Sequence, residues 1–132
     1  MRDDGATSRI ELRLKSGEAL VATLARAGAA ELGLQPGMAV LAMVKAPWFV
    51  FVAGDKAAAG LSSPNRLPGE ITRVVPGAVN AELCLRTRGG CELVAVLPRD
   101  GVRECGLEVG ARATAVVSPA DVVIGLPPAA GA

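Results

Sequence analysis

The chain has 132 residues, of which 51% are apolar and 20% charged, and its 14 basic residues nearly balance 13 acidic ones. That balance lacks the basic surface typical of a nucleic-acid binder, and one Trp, two Phe and no Tyr leave few rings to stack on bases. No apolar run approaches the roughly 20 residues of a membrane span, and the charged first residues do not resemble a secretory signal. We therefore expect a cytoplasmic protein that binds neither nucleic acid nor membrane.

The first half of the chain recurs in the second half at a constant offset of 73 positions. Residues 20–22 match residues 93–95, and residues 30–37 match residues 103–110. Such repetition indicates one small unit used twice. Because a unit of about 60 residues is marginally stable alone, we expect the two units to pack together or the chain to oligomerise. The predicted organisation is a first unit at 1–55, a linker at 56–66, a second unit at 67–127 and a tail at 128–132.

In the first unit, apolar residues at every second position predict a half-buried strand, and Ser16-Gly17-Glu18 predicts a hairpin turn after it. An Ala-rich stretch then predicts a short helix, which Gly33 ends. In chain order the predicted elements are strands at Ile10–Leu14 and Ala19–Leu24, a helix at Ala25–Leu32, a buried strand at Met38–Val44 and a final strand at Phe49–Val52.

The second unit repeats this pattern behind one extra strand, Leu67–Val75, and a turn at Pro76–Asn80. The elements that follow are strands at Ala81–Leu85 and Glu92–Leu97, a helix at Pro98–Cys105, a buried strand at Ala111–Val117 and a final strand at Val122–Ile124. The first unit begins at a turn, Arg2–Ala6, and lacks a counterpart of the extra strand. An unpaired sheet edge promotes association, so a partner chain or further residues should cover it.

The chain offers little of the chemistry that enzymes and metal centres use. Its three cysteines form no C-x-x-C pair and it has no histidine, so we expect free, buried thiols and no direct metal-cation ligands. A nucleophile elbow and a Gly-rich phosphate loop with lysine are both absent from the sequence. We therefore expect a protein that is not an enzyme.

Three segments together resemble the molbindin (Mop) family and the molybdate-binding halves of molybdate-responsive regulators: Asn-Arg-Leu-Pro-Gly-Glu-Ile at 65–71, Gly-Ala-Val-Asn-Ala-Glu-Leu at 77–83 and Val-Lys-Ala-Pro-Trp at 44–48. The resemblance covers nearly the whole chain. It implies an all-β fold of tandem OB-like five-stranded barrels of the Mop/TOBE type, each with a short helix, the first unit lacking its first strand. It also implies a homo-oligomer, dimer or trimer, with strand exchange between subunits, and molybdate or tungstate bound between units.

A tetrahedral dianion needs many hydrogen-bond donors and some positive charge. Lys45 can supply the charge, and Ala46 precedes a proline, which predicts an extended backbone that presents its N–H. Ser62, Ser63 and Asn65 lie in a segment similar to the family's Ser-Ala-Arg-Asn, in which the two serines offer hydroxyl or N–H donors and Asn65 fixes the turn. Alternatively, Lys45 only ends a strand in solvent and the serine segment is a polar linker.

The resemblance further suggests that Gly77, Ala78, Val79 and Asn80 line oxyanion sites at an oligomer axis through their backbone groups. The alternative is a tight turn with positive φ at Gly77 and Asn80. Trp48 should pack at an interface or at the edge of the core.

Several positions depart from the family pattern and weaken other sites: Pro64, Ala25, Gly28, Pro98 and Ser118, the last of which replaces the expected lysine. Two functions therefore remain open. The chain binds molybdate or tungstate for storage, homeostasis or sensing, or it is an accessory oligomerisation module of a larger regulator or transporter ATPase with degenerate sites. A third reading, an OB-type nucleic-acid module, is disfavoured by the scarcity of aromatic residues.

Overall fold

The computed structural model describes residues 2–3, 5–54 and 62–127, and within them the chain is mainly β-structure. The strands are β1 Arg2–Asp3, β2 Thr7–Arg13, β3 Ala19–Ala25, β4 Leu41–Met43, β5 Val50–Ala53, β6 Arg66–Pro76, β7 Asn80–Thr87, β8 Glu92–Pro98, β9 Arg112–Val116 and β10 Val123–Gly125. Two short helices, α1 Arg26–Leu32 and α2 Arg99–Glu104, and two 3-10 turns, Ala46–Trp48 and Pro119–Asp121, complete the fold. None of the described helices has the length and apolar character of a membrane span.

Each unit follows the predicted order of hairpin, helix, strand and final strand, and a 3-10 turn that was not predicted lies between the last two strands. Gly33 ends α1 in the left-handed conformation with φ 65°, as its sequence context predicted. Pro98 caps α2 rather than beginning it, and Asp100 lies in the first turn, where a negative charge complements the helix dipole. The all-β prediction with one short helix per unit is confirmed.

The two units exchange their final strands. In the five-stranded sheet, ordered β5-β9-β6-β7-β8, β5 of the first unit pairs with β9 of the second. In return, β10 of the second unit pairs with β4 of the first. The resemblance implied exchange between subunits, whereas here the exchange joins two units of one chain. The exchange gives the two small units a common core. This agrees with the expectation that the units pack together.

Strand β6 organises the second unit because both of its edges are paired. Residues Gly69–Pro76 pair with β7 and residues Arg66–Glu70 pair with β9. The strand lies so close to β7 that a Cβ at Gly69 would overlap the Arg86 carbonyl oxygen. Ile71, a residue of this strand, is completely buried.

In the first unit, the two residues of β1 pair with β2 in the way that Val75 and Pro76, the last two residues of β6, pair with β7. They are the described first-unit counterpart of β6. Arg2 pairs with Arg9 and Asp3 with Ser8, so a short strand stands where the sequence predicted a turn. Within the described residues, the strand at this place is β1, which has two residues where β6 has eleven. A third strand, β3, completes this sheet in the order β1-β2-β3.

One strand prediction is wrong in length and burial. Met38–Val44 was expected to be a buried strand, but only Leu41–Met43 forms β4, and Leu41 and Met43 are 44% and 48% exposed. The reason is topological, since no described strand pairs with the edge of β4 that faces away from β10. Its counterpart β9 lies between β5 and β6 and is buried.

The hydrophobic core crosses the boundary between units, with Leu20 and Phe49 of the first packed in one cluster with Leu67, Ile71 and Leu85 of the second. Polar contacts join the units as well. The Glu18 carboxylate on the first hairpin accepts hydrogen bonds from the hydroxyls of Ser16 and Thr87, the latter on the second hairpin.

The three cysteines are free thiols: Cys84 and Cys91 are half-buried and Cys105 is exposed. The expectation of buried thiols is therefore wrong for Cys105, which follows the short helix α2.

Candidate functional site

A cavity of about 510 Å³ lies where the segment before β6 meets both 3-10 turns. Residues from three stretches of the chain line it: Trp48 and Val50; Ser62, Ser63 and Pro64; and Val116, Ser118, Pro119 and Asp121. The exchange of final strands creates this meeting point, because pairing of β5 with β9 carries Trp48 from the first unit to Ser118 of the second. Hydroxyl groups dominate the polar part of its lining.

The serine segment on one wall is held by its own hydrogen bonds. The Ser63 hydroxyl donates to the Val117 carbonyl at 2.8 Å and accepts from the Asn65 N–H at 3.2 Å. The Ser63 carbonyl accepts from Arg66 Nε at 2.8 Å. The hydroxyl of Ser63 is thus engaged in the protein, whereas Ser62 and Ser118, which also line the cavity, are exposed residues.

The sequence predicted that Asn65 fixes its own turn, whereas its side chain is bonded to a strand of the first unit. Its side-chain amide donates to the Val21 carbonyl and its Oδ1 accepts from the Val21 N–H, both at 2.7 Å. It is 1% exposed, so the cavity does not reach its amide. Asn65 therefore pins β3 of the first unit to the start of β6.

Lys45 lies next to Trp48, which lines the cavity. Its ammonium lies 5.2 Å from the centroid of the Trp48 ring, a cation–π distance, and its side chain is exposed. The 3-10 turn closes with Trp48 N–H donating to the Lys45 carbonyl at 2.9 Å. A positive charge thus lies beside a ring that lines the cavity.

The backbone of this turn differs from expectation at Ala46. Lys45 is the extended residue, with φ −65° and ψ 135°, and Ala46 begins the 3-10 turn, so the prediction of an extended Ala46 is wrong. Its N–H is still at a helix start, where amides have no partner inside the helix. Ala46 lines a different cavity, of about 320 Å³, together with Cys91 and Glu92.

The second unit places different chemistry at the equivalent turn. Ser118 occupies the position of Lys45, and Asp121 occupies that of Trp48, at the repeat offset. Asp121 N–H donates to the Ser118 carbonyl at 2.9 Å, and both residues line the 510 Å³ cavity. A carboxylate here repels a dianion. The sequence reasoning did not single out Asp121, although aligning the repeats sets it against Trp48.

The turn Gly77–Asn80 lies apart from the cavity, between β6 and β7. The Gly77 N–H donates to the Asn80 carbonyl at 2.8 Å, and Arg99 holds the turn through its N–H to the Val79 carbonyl and its Nη1 to the Gly77 carbonyl. Neither Gly77 nor Asn80 has a positive φ, so that expectation is wrong. Glycine is required at 77 because a Cβ would lie 2.6 Å from the Asn80 carbonyl oxygen.

The structure therefore divides the candidate residues among separate places. It brings Ser62 and Ser63 together with Trp48, beside Lys45, and it puts Ala46, Asn65 and the Gly77–Asn80 turn elsewhere. Within the described residues no group of acidic, cysteine or histidine side chains is arranged to hold a metal cation.

Among the described residues, Cys91 is the titratable group whose environment is clearly perturbed. Burial, and then the negative charges of Glu18 and Glu92, raise the pKa of its thiol. All three effects disfavour the thiolate, which is the form that acts as nucleophile and metal ligand. The neutral thiol is therefore the favoured form of Cys91.

Comparison with known proteins shows to which family this chain belongs. The TOBE domain model matches the chain twice, at residues 1–51 and 61–124. The chain belongs to the TOBE domain family. The two matches of this TOBE protein coincide with the two repeats found in the sequence.

Two curated relatives extend over nearly all of this TOBE protein. Molybdenum-pterin-binding protein MopB of Rhodobacter capsulatus is 32% identical over 94% of the chain and 46% of its own length. The DNA-binding transcriptional dual regulator ModE of Escherichia coli K12 is 34% identical over 92% of the chain and 45% of its own length. The chain thus spans about half the length of the curated relatives it matches.

A solved structure is similar to the TOBE protein over nearly its whole length. The cytoplasmic molybdate-binding protein ModG, crystallised with molybdate bound, is 34% identical with a TM-score of 0.89, covering 96% of this chain and 89% of ModG. The fold predicted from the sequence resemblance is thereby confirmed, including the tandem arrangement of units.

Proposed function

We propose that this TOBE protein binds molybdate or tungstate in the cytoplasm, for storage, homeostasis or sensing, and does not catalyse a reaction. The observation that carries the proposal is its likeness to ModG over almost the entire length of both chains, since ModG was crystallised with molybdate. The 510 Å³ cavity has three serines in its lining, lies between the units and has room for a tetrahedral oxyanion.

The proposed site uses the groups that the structure leaves available at this cavity. The hydroxyl of Ser62 donates to the anion, and Lys45 swings from the Trp48 ring to supply positive charge. Ser63 and Asn65 act as positioning residues, because their polar groups already bind Val117 and Val21.

Ala46 and the axis-lining residues form a second part of the proposal. Ala46 offers its unpaired N–H at the start of the 3-10 turn. Gly77, Ala78, Val79 and Asn80 offer backbone groups to an oxyanion position completed by a second copy. Their exposure supports this role, and Val79 is 76% exposed at the tip of the turn. The protein is accordingly proposed to be a homo-oligomer, dimer or trimer, that binds neither nucleic acid nor membrane.

A second candidate function is an oligomerisation module of a larger regulator or transporter ATPase with weakened sites. It is favoured by the similarity to half of ModE and by the carboxylate that Asp121 places in the cavity. The two functions differ in affinity, since a degenerate module binds the anion weakly or not at all.

Calorimetric titration with molybdate, tungstate and then sulfate tests the proposal. We expect molybdate binding near micromolar, about −8 kcal/mol, with sulfate much weaker. A flat titration with all three anions contradicts the binding function and selects the module, and light scattering on the same sample gives the number of copies.

A further inference from the structure

Another cavity lies beside the short helix α2, entirely within the second unit. This cavity, the helix pocket, has a volume of about 260 Å³ and is bounded by α2, the segment after it, the last residues of β6 and the start of β7. Its apolar side chains are Val74, Ala81, Val102 and Leu107. None of these residues lines the 510 Å³ cavity between the units, so the helix pocket is a separate place in the fold.

The charged groups of the helix pocket are not paired with one another. Three charged side chains line it, those of Arg99, Arg103 and Glu108. Among the described residues, no ion pair joins any two of them. Arg99 is held in place, because its backbone N–H donates to the Val79 carbonyl and its Nη1 donates to the Gly77 carbonyl at 3.2 Å. A guanidinium has five N–H donors, so this bond leaves donors of Arg99 available to a ligand.

The first unit has a cavity at the equivalent place, but with different charges. Its volume is about 330 Å³, and Arg26 lines it at the position that corresponds to Arg99 in the repeat. Ala30 and Gln35, which also line it, correspond to Arg103 and Glu108. The backbone shared by the two units therefore forms the cavity, and the second unit adds a second arginine and a carboxylate to it.

This set of charges fits a ligand that carries both a negative and a positive group. A plain carboxylate or an inorganic oxyanion is attracted by the arginines but repelled by Glu108, and a plain amine meets the opposite combination. A molecule with a carboxylate and an ammonium group meets an opposite charge with each of them. The apolar side chains favour a ligand that also has an apolar part, since burial of apolar surface is stabilising.

We propose that the helix pocket binds a free α-amino acid with an apolar side chain, such as leucine. Arg99 and Arg103 bind its carboxylate, Glu108 binds its ammonium group, and its side chain lies against Val102 and Leu107. The volume of the pocket is below the about 300–1,000 Å³ of sites for drug-sized ligands, which agrees with a smaller molecule. This site is independent of the oxyanion sites of the proposed function.

Titration of the full chain with L-leucine, followed by methyl NMR, tests the proposal. We expect saturable binding with a dissociation constant of about 1 mM or lower. The methyl resonances of Val102 and Leu107 should shift, whereas those of Leu85, which is completely buried and does not line the pocket, should not. Absence of shifts at about 10 mM leucine overturns the proposal, as does binding that leaves Val102 and Leu107 unshifted.

Two fragments of leucine test whether both charges are recognised. 4-Methylpentanoate is leucine without the ammonium group, and 3-methylbutylamine is leucine without the carboxylate. Each should bind at least about fivefold more weakly than leucine, because one charge of the pocket then has no partner. Binding of 4-methylpentanoate as strong as that of leucine contradicts the role of Glu108 and overturns the assignment of an amino acid.

Matched variants copy the first unit. Arg103→Ala and Glu108→Gln each introduce the residue that the first unit has at the same place. Arg103→Ala should weaken leucine binding at least about fivefold. Glu108→Gln should weaken leucine binding about threefold yet strengthen binding of 4-methylpentanoate, because it removes a repulsion. The control Arg112→Ala, at an exposed arginine of β9 outside the pocket, should change neither affinity. Stronger binding of both ligands by Glu108→Gln would show a site for plain carboxylates and overturn the proposal.

Competition with molybdate separates this site from the proposed function. Saturating molybdate should leave the affinity for leucine unchanged, because the helix pocket and the 510 Å³ cavity share no lining residue. Displacement of leucine by molybdate overturns the proposal and assigns the two arginines to an oxyanion. A chain that binds leucine but no molybdate supports the amino-acid site and contradicts the proposed function alone.

Discussion

Strands β4 and β9 occupy equivalent places in the repeat, yet they have opposite environments. In β9, Ala113, Thr114 and Ala115 are at most 1% exposed between β5 and β6. In β4, Leu41 and Met43 are nearly half exposed, although they are larger and more apolar. Burial here is decided by the neighbouring strand and not by the hydrophobicity of the strand itself.

The two 3-10 turns differ in chemistry as β4 and β9 differ in burial. The first carries Lys45 and Trp48, and the second carries Ser118 and Asp121 at the same backbone positions. The two turns thus have the same backbone conformation, but one carries a positive charge and the other a negative charge. The exchange of strands brings both turns to a single cavity. Substitutions at equivalent positions separate the contribution of the backbone from that of the side chain.

The largest effect is expected for Asn65→Ala, which removes the contact between β3 of the first unit and the start of β6. It leaves the Val21 N–H and carbonyl without their partners, and each unsatisfied group costs about 1–3 kcal/mol. We expect the free energy of unfolding to fall by about 3 kcal/mol in urea denaturation. The control Asn80→Ala, at an exposed turn residue, should change it by less than about 0.5 kcal/mol.

The burial difference is tested by the same substitution in both strands. Ala115→Leu adds three carbons to a site with 0% exposure and should cost about 2 kcal/mol of stability. Its counterpart Ala42→Leu lies in the exposed strand and should change stability by less than about 0.5 kcal/mol. Equal losses of melting temperature at the two positions would show that β4 is covered in solution.

The difference in charge between the turns predicts unequal roles in anion binding. Lys45→Ala should weaken molybdate binding at least about tenfold, because a dianion loses its nearest full positive charge. Ser118→Ala, at the equivalent position, should change the affinity little. Calorimetry on both variants checks this, and unchanged affinity in Lys45→Ala would remove the lysine from the proposed site.

Asp121→Asn should act in the opposite direction at the same cavity. Removing the carboxylate lifts a repulsion and should strengthen molybdate binding by about threefold, roughly 0.7 kcal/mol. The gain should shrink at high salt, since the residue is only partly buried and its field is screened. An affinity that falls instead would mean that Asp121 orients a donor.

The smallest effect concerns the thiols. Because burial, Glu18 and Glu92 raise the pKa of Cys91, less thiolate is present near neutral pH and alkylation there should be slower than at the exposed Cys105. Glu92→Gln lowers that pKa and should speed the modification of Cys91 at pH 8, as followed by mass spectrometry. Faster modification of Cys91 than of Cys105 would contradict the assigned environment.

Much of the fold was accessible from the sequence. The offset of 73 positions, the period-two strands and the glycine that ends α1 each reflect local chemistry, and they predicted the element order of both units. The candidate site was less accessible. Lys45 and Ser62 were found through their resemblance to a family, whereas Asp121 entered the cavity only through the pairing of β5 with β9.

The sequence by itself determined that one small β unit is used twice, where its turns fall and which turn carries the lysine, because these depend on neighbouring residues. Tertiary structure alone decided that the final strands are exchanged and that the Asn65 side chain is hydrogen-bonded to Val21. It also decided that β9 is buried while β4 is open. Those outcomes depend on contacts between residues far apart in the chain. For β9 and β4 in particular, burial depends on whether a strand pairs with each edge of the strand.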